Sequence, residues 1–228
     1  YHEYNKVDKA YQLVEKMQQG TNIALITDAG TPGISDPGED LVRICYEQGI
    51  EVTSLPGAAA CITALTLSGL PTRRFSFEAF LPKEKKERAA VLEELKNDTR
   101  TLIVYEAPHH LLGTLKELQN ALGNRRLTVC RELTKKFETA FQTTFSEAIR
   151  YYEEQGVRGE CVLVIEGRSR EELVQEAQQS WEAISVEEHM EHYLSTGMDR
   201  KSAMKQVAKD RGVGKREIYQ MLLKAENE

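Results

Sequence analysis

Paired cysteines are absent from this sequence, which argues against a zinc centre or a disulfide framework. The four cysteines, Cys45, Cys61, Cys130 and Cys161, lie far apart, and each is surrounded by apolar residues. This usage is typical of reduced core residues in a cytoplasmic protein. We therefore expect a cytoplasmic location and no metal site.

Long hydrophobic runs are absent as well, since no stretch approaches the roughly 20 apolar residues that a membrane-spanning helix needs. We therefore expect no membrane contact. The 228 residues are 40% apolar and 29% charged. This composition suits one or two soluble domains with a hydrophobic core.

Charge is unevenly spread along the chain, whose formal net charge is −6. Between Asp199 and Lys224 there are eight Lys or Arg against three Asp or Glu, whereas the remainder has 22 basic and 33 acidic residues. A basic terminal module on an acidic body indicates contact with a polyanion at that end. A solvated helix face is the alternative interpretation of the same charges.

A loop rich in glycine and proline, residues 27–38, lies between a predicted strand at 22–27 and a predicted helix that begins at Glu39. Loops at the carboxyl ends of strands are where open α/β sheets bind ligands. Gly30 and Gly33 would allow a ligand to reach backbone N–H groups, and the helix offers an electropositive start. The alternative interpretation is an ordinary loop between a strand and a helix that binds no ligand.

A second turn, at Pro56 and Gly57, follows a strand predicted at residues 50–55. The helix predicted after it, from Ala58, opens with small side chains that allow a ligand to approach closely, although tight helix packing would ask for the same residues. The two strands and the helix between them predict a right-handed βαβ unit in a parallel sheet.

Apolar periodicity predicts the remaining elements of the chain. We expect helices at 7–20, 89–96, 111–122 and 147–155, strands at 74–80, 100–105, 127–130 and 160–166, and an extended segment at 137–145.

Three further helices are predicted at 186–194, 200–210 and 215–225. The last two have the spacing of a helix-turn-helix, in which an alanine lets the helices touch, a glycine makes the turn and two branched residues fill the core. These residues are Ala208, Gly212, Val213 and Ile218. Small helical hairpins of other kinds match the pattern by chance.

Six motifs, in order along the chain, resemble the tetrapyrrole methylase superfamily. Within it they resemble the branch that methylates the ribose 2′-oxygen of a cytidine in small-subunit ribosomal RNA, and the basic terminal module is similar to the tail of that branch. The resemblance covers roughly residues 1–167. The motifs are Ala-Gly-Thr-Pro-Gly-Ile-Ser-Asp-Pro-Gly at 29–38, Ser-Leu-Pro-Gly-Ala-Ala-Ala at 54–60, Glu-Ala-Phe-Leu-Pro at 78–82, Thr-Leu-Ile-Val-Tyr-Glu-Ala-Pro-His at 101–109, Arg-Glu-Leu-Thr-Lys at 131–135 and Gly-Glu-Cys-Val-Leu-Val-Ile-Glu-Gly at 159–167.

The resemblance implies an α/β fold of two α/β domains with S-adenosylmethionine in the cleft between them, usually in a homodimer. A small all-α module of helix-turn-helix type would follow them. We place the N-terminal α/β domain at residues 1–71, the second α/β domain at 72–168, a linker at 169–184 and the basic module at 185–228. The implied partner is the ribosomal RNA of the small subunit or the assembled subunit.

The family opens with a strand and a Pro-Thr-Pro-Ile-Gly-Asn-Leu-like loop that meets cofactor and substrate. This sequence begins at Tyr1 with residues that resemble a later piece of the family. We therefore expect that N-terminal residues are missing from this chain and that the first domain lacks its first strand.

The resemblance also implies cofactor contacts in four of the motifs. They fall on Asp28, Ala29, Gly30, Thr31, Pro32, Pro56, Gly57, Ala59, Ala60, Tyr105, Leu133 and Thr134. Backbone N–H groups at Gly30 and Thr31 suit the carboxylate of the cofactor, and the small side chains of Ala59 and Ala60 leave space for adenine. Asp28 could instead stabilise the loop through side-chain hydrogen bonds to the backbone, without touching the cofactor.

A ribose hydroxyl is a poor nucleophile until a base takes its proton. Glu106 and His109 are the catalytic candidates, because they follow a buried strand at the expected cleft; His110 and His2 are further candidates. An ordinary strand-end carboxylate is the alternative for Glu106, and a helix cap or a phosphate contact is the alternative for the two adjacent histidines.

Basic residues are expected to gather at the cleft mouth and, with the tail, to contact RNA phosphates, which position RNA without reading its sequence. Those with predicted RNA contacts are Arg74, Lys83, Lys135, Lys215 and Arg216, with Arg73, Lys85 and Lys86 nearby. Two other functions remain open. One is methylation of a tetrapyrrole carbon, and the other is a nucleic-acid-binding regulator that senses a small molecule.

Overall fold

The computed structural model describes residues 6–225, which form ten helices and one five-stranded sheet. The described residues up to Gly167 belong to one compact unit and those from Arg168 to a second. Within the described residues, no helix is both long and apolar enough to traverse a bilayer.

The sheet of the first unit consists of β1 (Phe75–Phe80), β2 (Thr101–Glu106), β3 (Arg126–Arg131), β4 (Thr139–Thr144) and β5 (Cys161–Ile165). Their spatial order is β1-β2-β5-β3-β4. Only β1 and β2 run parallel; the pairs β2–β5, β5–β3 and β3–β4 are antiparallel. The sheet is therefore mixed.

Six helices accompany this sheet, and their ends follow from local sequence. The Thr144 side chain accepts from the backbone N–H of Glu147 while the Glu147 side chain accepts from that of Thr144, a capping box that begins the last of the six. They are α1 (Lys6–Gln18), α2 (Glu39–Glu47), α3 (Ala60–Ser68), α4 (Lys85–Leu95), α5 (Leu111–Leu122) and α6 (Phe145–Gln155).

The two faces of the sheet carry different cores because successive strand residues point to opposite sides. In β2, Leu102 and Val104 join one core with α5 and α6, whereas Ile103 and Tyr105 join the other. That second core is closed by Cys61, Ala64 and Leu65 of α3. The helix that follows the second glycine turn therefore lies on one defined face of the sheet.

The predicted strands at 22–27 and 50–55, and with them the parallel βαβ unit, are wrong. The structure has no regular element in either segment. A strand needs a hydrogen-bonded neighbour, and neither segment has a ladder partner among the described residues. The side chains of Ile26 and Leu55 are 83% and 82% exposed, so the apolar pattern that predicted buried strands is not matched by burial.

Most other elements lie where the sequence predicts them. The predicted helix at 111–122 is observed with the same bounds, and the four strands predicted between residues 74 and 166 are present. All four cysteines are buried and free. The division into α/β domains at residue 71 stays a prediction, because α1 to α3 and the sheet belong to one unit.

The second unit contains α7 (Arg170–Glu182), α8 (Val186–Ser195), α9 (Arg200–Asp210) and α10 (Lys215–Ala225). The segment at 169–184, for which we expect a linker with helical tendency, contains α7, and the Ser169 side chain caps this helix by accepting from the Glu172 N–H. Ala208 and Ile218 are buried, Val213 packs against them, and Gly212 has a φ of 65° at the turn.

His189 is fully buried in this second unit beneath the ring of Trp181, whose centroid lies 3.8 Å away in a parallel stack. Its Nδ1 accepts a hydrogen bond from Arg211 Nε at 3.1 Å. Its Nε2 lies 3.5 Å from Asp210 Oδ2, too far for a good hydrogen bond. Burial lowers the pKa of His189, and the positive charge of the Arg211 guanidinium lowers it further. Asp210 raises this pKa, and the nearby His192 lowers it slightly, so the net change is a decrease.

We expect acid to destabilise the second unit through His189. Its folded-state pKa lies below the ordinary histidine value of 6.5, so the unfolded chain takes up this proton first. The free energy of unfolding should therefore be highest above about pH 7 and should decrease as the pH falls through 6.5 towards the folded-state pKa. Trp181, the only tryptophan of the chain, reports the transition by fluorescence in denaturant titrations.

The exposed His192 supplies the control for this experiment. His189→Asn keeps an acceptor for Arg211 and should flatten the dependence of stability on pH, whereas His192→Gln should retain most of it, because His192 is the smallest contributor to the shift. An unchanged pH dependence in His189→Asn would show that another group is responsible.

Candidate functional site

The two glycine-rich turns of the sequence touch each other in the structure. The carbonyl oxygen of Ala58 accepts two hydrogen bonds from Thr31, one from its backbone N–H at 2.9 Å and one from its hydroxyl at 3.0 Å. Thr27 braces the first turn, since its hydroxyl lies 3.1 Å from the carbonyls of Ala29 and Gly30. The predicted cofactor residues of both turns are therefore neighbours.

Two glycines make this contact sterically feasible. Gly30 has a φ of 78°, and a Cβ there would lie 3.0 Å from the Ala58 carbonyl oxygen. A Cβ on Gly57 would lie 2.9 Å from the Thr31 hydroxyl oxygen. Because real Cβ atoms rarely come so close, any side chain at either position would push the turns apart.

Tyr105, at the end of β2, connects the second turn to the sheet. Ala59 is the N-cap of α3 but provides no side-chain cap. The Tyr105 hydroxyl instead accepts a hydrogen bond at 2.9 Å from the backbone N–H of Cys61, in the first turn of α3. Burial, followed by the contact with Cys61, raises the pKa of Tyr105 to about 12, so the hydroxyl stays neutral.

The turn after β3 reaches the same place. Leu133 packs against the same core cluster as Ala59 and Tyr105. Its neighbours Glu132 and Thr134 have positive φ values of 51° and 63°, a conformation that is uncommon outside glycine and is often found at functional sites. Residues of three motifs that lie far apart in the sequence thus converge at one edge of the sheet.

Hydrogen bonds hold this turn in its uncommon conformation. Glu132 Oε1 accepts from the Glu160 N–H at 2.9 Å, and the Thr134 N–H donates to Glu138 Oε2 at 2.5 Å. The Glu160 backbone contact is the main reason that the pKa of Glu132 is lowered. The acceptors Glu132 and Glu138 were not among the predicted site residues. Their hydrogen bonds run across the sheet or across the turn, and the local sequence pattern does not reveal such contacts.

The N–H of Thr31 is not available to a ligand, contrary to the expectation that it would hold a carboxylate. It already donates to Ala58. The converging turns instead offer three exposed residues with at most a methyl side chain, Gly57, Ala58 and Ala60. Such a surface admits a flat ring or an extended chain close to backbone atoms.

Glu106 lies on the opposite face of the sheet from Tyr105 and α3. It is 7% exposed, and both carboxylate oxygens are occupied. Oε1 accepts from the Ala107 N–H at 2.8 Å, and Oε2 accepts from the Thr114 hydroxyl at 2.5 Å. Arg88 Nη2 in turn donates to the Thr114 hydroxyl oxygen at 2.8 Å. This network favours the structural interpretation of Glu106, a carboxylate that fixes the strand end.

The two adjacent histidines lie in the turn between β2 and α5. Both are exposed, and their ring centroids are 4.1 Å apart. His110 is the N-cap residue of α5 but makes no side-chain cap, so the expected capping role is not observed for it. His2, the remaining candidate base, lies outside the described residues.

The basic residues expected around the site do not all lie at the same end of the sheet. Arg74 lies before β1 and Lys83 after it, so they are separated by the length of the strand, about 20 Å. Lys135 is near the converging turns, but its Nζ is 2.8 Å from Glu160 Oε2 and 3.3 Å from Glu132 Oε1. In the second unit, Lys215 and Arg216 are exposed in the first turn of α10.

Comparison with known proteins gives matches along most of the chain. The family model for Tetrapyrrole (Corrin/Porphyrin) Methylases matches residues 2–149. Relatives named ribosomal RNA small subunit methyltransferase I, from Halalkalibacterium halodurans and Bacillus subtilis, are each 47% identical over 219 residues, which cover 96% of this chain and 75% of each relative. The relative of that name from Synechocystis is 43% identical over 227 residues, 99% of this chain and 80% of its own length.

Solved structures share the fold at low sequence identity. The methyltransferase CobJ superposes with a TM-score of 0.54 at 20% identity and covers 70% of each chain. Diphthine synthase superposes with a TM-score of 0.56 at 11% identity, covering 73% of this chain and 68% of its own. At such identities the likeness concerns the fold alone.

Replacing Tyr105 by Phe should lower the free energy of unfolding by about 1–2 kcal/mol, because the Cys61 N–H would lose its partner in a partly buried place. Chemical denaturation followed by circular dichroism measures the change. Tyr11→Phe is the matched control, since Tyr11 is 59% exposed. Equal stability of the two variants would mean that the hydroxyl does not cap α3.

Proposed function

This chain belongs to the tetrapyrrole methylase family, and we propose that it transfers a methyl group from S-adenosylmethionine to the ribose 2′-oxygen of a cytidine in small-subunit ribosomal RNA. Its identity of 43–47% to relatives named for methylation of that RNA supports the substrate class. The observation that carries the proposal is the contact of Thr31 with Ala58, which unites the two turns expected to hold the cofactor.

The residues present fit the cofactor. Gly57 and Ala60 are small and exposed, so adenine can lie against backbone atoms there, and Leu133 offers an apolar contact at the same edge. The neutral Tyr105 hydroxyl holds the start of α3 beside them. When bound, S-adenosylmethionine supplies an electrophilic methyl group. The proposed contacts include the remaining predicted residues of these turns, Asp28, Ala29, Gly30, Thr31, Pro32, Pro56, Ala59 and Thr134.

The protein's contribution to the reaction is mainly positioning. Methyl transfer is an in-line displacement at carbon, so the 2′-oxygen must be held opposite the leaving sulfur. The Thr31–Ala58 contact joins the two turns, and the Tyr105 cap fixes the second turn to the sheet. The two turns can therefore hold the cofactor in a fixed position. A base must also accept the proton of the 2′-hydroxyl.

We assign the base role to His109 rather than Glu106. The His109 ring is exposed in the turn that directly follows β2. Glu106 is buried, and both of its oxygens accept hydrogen bonds from Ala107 and Thr114. The Glu106 carboxylate is therefore engaged inside the protein, whereas the His109 ring is accessible to a substrate.

RNA is held by cations around the site and in the second unit. Lys83 follows β1 on the same side as the end of β2, while Arg74 lies at the other end of β1 and would contact a more distant part of the RNA. Lys135 would have to exchange its carboxylate partners for phosphate. Lys215 and Arg216 supply exposed charge on α10. A homodimer and the division at residue 71 are part of this proposal.

Methylation of a tetrapyrrole carbon is the second candidate, because the fold is shared with methylases of that class. The basic helices of the second unit favour RNA, since a tetrapyrrole substrate does not require them.

The first test measures cofactor binding and methyl transfer together. S-adenosylmethionine should bind in calorimetry, and labelled methyl groups should appear on small ribosomal subunits as 2′-O-methylcytidine. Gly30→Ala should weaken cofactor binding at least about tenfold, because its Cβ would press on the Ala58 carbonyl.

Gly20→Ala is the matched control for Gly30→Ala. Gly20 also has a positive φ, 90°, but a Cβ there meets nothing within 4 Å. It should bind the cofactor as the parent does. Cofactor binding by the parent chain without transfer to ribosomal subunits would favour the small-molecule sensor over the methyltransferase.

The second test separates the two candidate bases. His109→Ala should lower kcat about 100-fold or more with little change in KM for the cofactor. Glu106→Gln should chiefly lower the free energy of unfolding, because it places an amide beside the Thr114 hydroxyl and the Ala107 N–H. A variant Glu106→Gln that is stable but inactive would restore Glu106 as the base.

A further inference from the structure

Charge in the second unit is divided between pairs of helices. Helices α7 and α8 contain seven glutamates against one arginine, and α9 and α10 contain seven Lys or Arg against one aspartate and one glutamate. A polyanion is therefore attracted to α9 and α10 and repelled by the other pair. The division gives the unit a defined binding side.

Three lysines form a stripe along α9. Lys201, Lys205 and Lys209 recur every four residues, so that neighbours are about 6 Å apart on one helix face. They are exposed, and the opposite face of α9 is buried in the core. Within residues 6–225, none of the three lies within ion-pair distance of a carboxylate. The stripe is free to meet phosphates.

The outer face of α10 adds an aromatic ring to this charge. Ile218 and Leu222 are buried and fix which side of α10 faces the core. Tyr219 is 52% exposed and follows Arg216 by three residues, so the two side chains are neighbours on the helix surface. A half-exposed ring beside a cation offers a surface on which a base can stack.

We propose that α9 and α10 bind an unpaired segment of ribosomal RNA, with Lys201, Lys205 and Lys209 on successive phosphates and Tyr219 stacked on a base. This inference rests on the proposed function, which identifies the polyanion as ribosomal RNA. It adds that the RNA segment bound by α9 and α10 is unpaired. The major groove of an RNA duplex is deep and too narrow for side chains to read. A helix-turn-helix-like pair therefore meets RNA where bases are unstacked.

The experiment measures binding of the full chain to a fluorescein-labelled single-stranded RNA by anisotropy over a range of salt concentrations. The triple variant Lys201→Gln, Lys205→Gln, Lys209→Gln should bind more weakly, and the slope of log affinity against log salt should become shallower by about 2. The matched triple variant with Arg at these positions should retain both affinity and slope. Unchanged binding by the Gln variant overturns the phosphate assignment.

A second pair of variants tests the base contact. Tyr219→Ala should weaken binding of single-stranded RNA roughly tenfold and leave duplex RNA almost unaffected, whereas Tyr219→Phe should bind as the parent does. Equal losses on single-stranded and duplex RNA, or tighter binding of duplex RNA by the parent chain, overturn the stacking assignment.

Calorimetry with S-adenosylmethionine separates this inference from the proposed function. All of these variants should bind the cofactor with unchanged affinity, because none of the substituted residues belongs to the proposed cofactor site. If the parent chain binds single-stranded RNA as described but transfers no methyl group, the proposed function fails and the RNA surface stands. If transfer occurs and the variants bind RNA like the parent, only the surface is overturned.

Discussion

One carbonyl oxygen, that of Ala58, holds the proposed cofactor site together. It accepts both hydrogen bonds that Thr31 donates, from its backbone N–H and from its hydroxyl. Each bond is individually modest, of the order of 1 kcal/mol. Their importance is geometric, because they join two turns that are 27 residues apart in the chain. Glycine at positions 30 and 57 leaves the space that this contact needs.

The sheet then decides which residues share this side of the molecule. Tyr105 and Glu106 are adjacent in sequence, yet strand geometry sends their side chains to opposite faces. Tyr105 meets α3 and the second turn, while Glu106 meets Thr114 on α5. Strand alternation therefore places the phenol of Tyr105, and not the carboxylate next to it, beside the proposed site.

The second unit combines a polar core contact with a divided surface. Arg211 binds His189 Nδ1 and also donates to the carbonyls of Ile184 and Ser185, so it ties α9 to the start of α8. This internal use of Arg211 removes one cation from the basic surface. The exposed positive charge along α9 therefore comes mainly from Lys201, Lys205 and Lys209, which face away from the core.

Local sequence determined the helices and most strands of this protein. Helix α5 has the bounds predicted from its apolar spacing, and α10 begins at the predicted Lys215, because helix periodicity and end signals act within a few residues. The motifs also determined the family and the small residues of both turns. The tertiary structure alone decided the rest. Residues 22–27 have the composition of a strand but no ladder partner among the described residues. Lys135, expected to contact RNA, forms ion pairs with Glu132 and Glu160 instead. Pairing of this kind depends on what lies across the fold, and no local pattern encodes it.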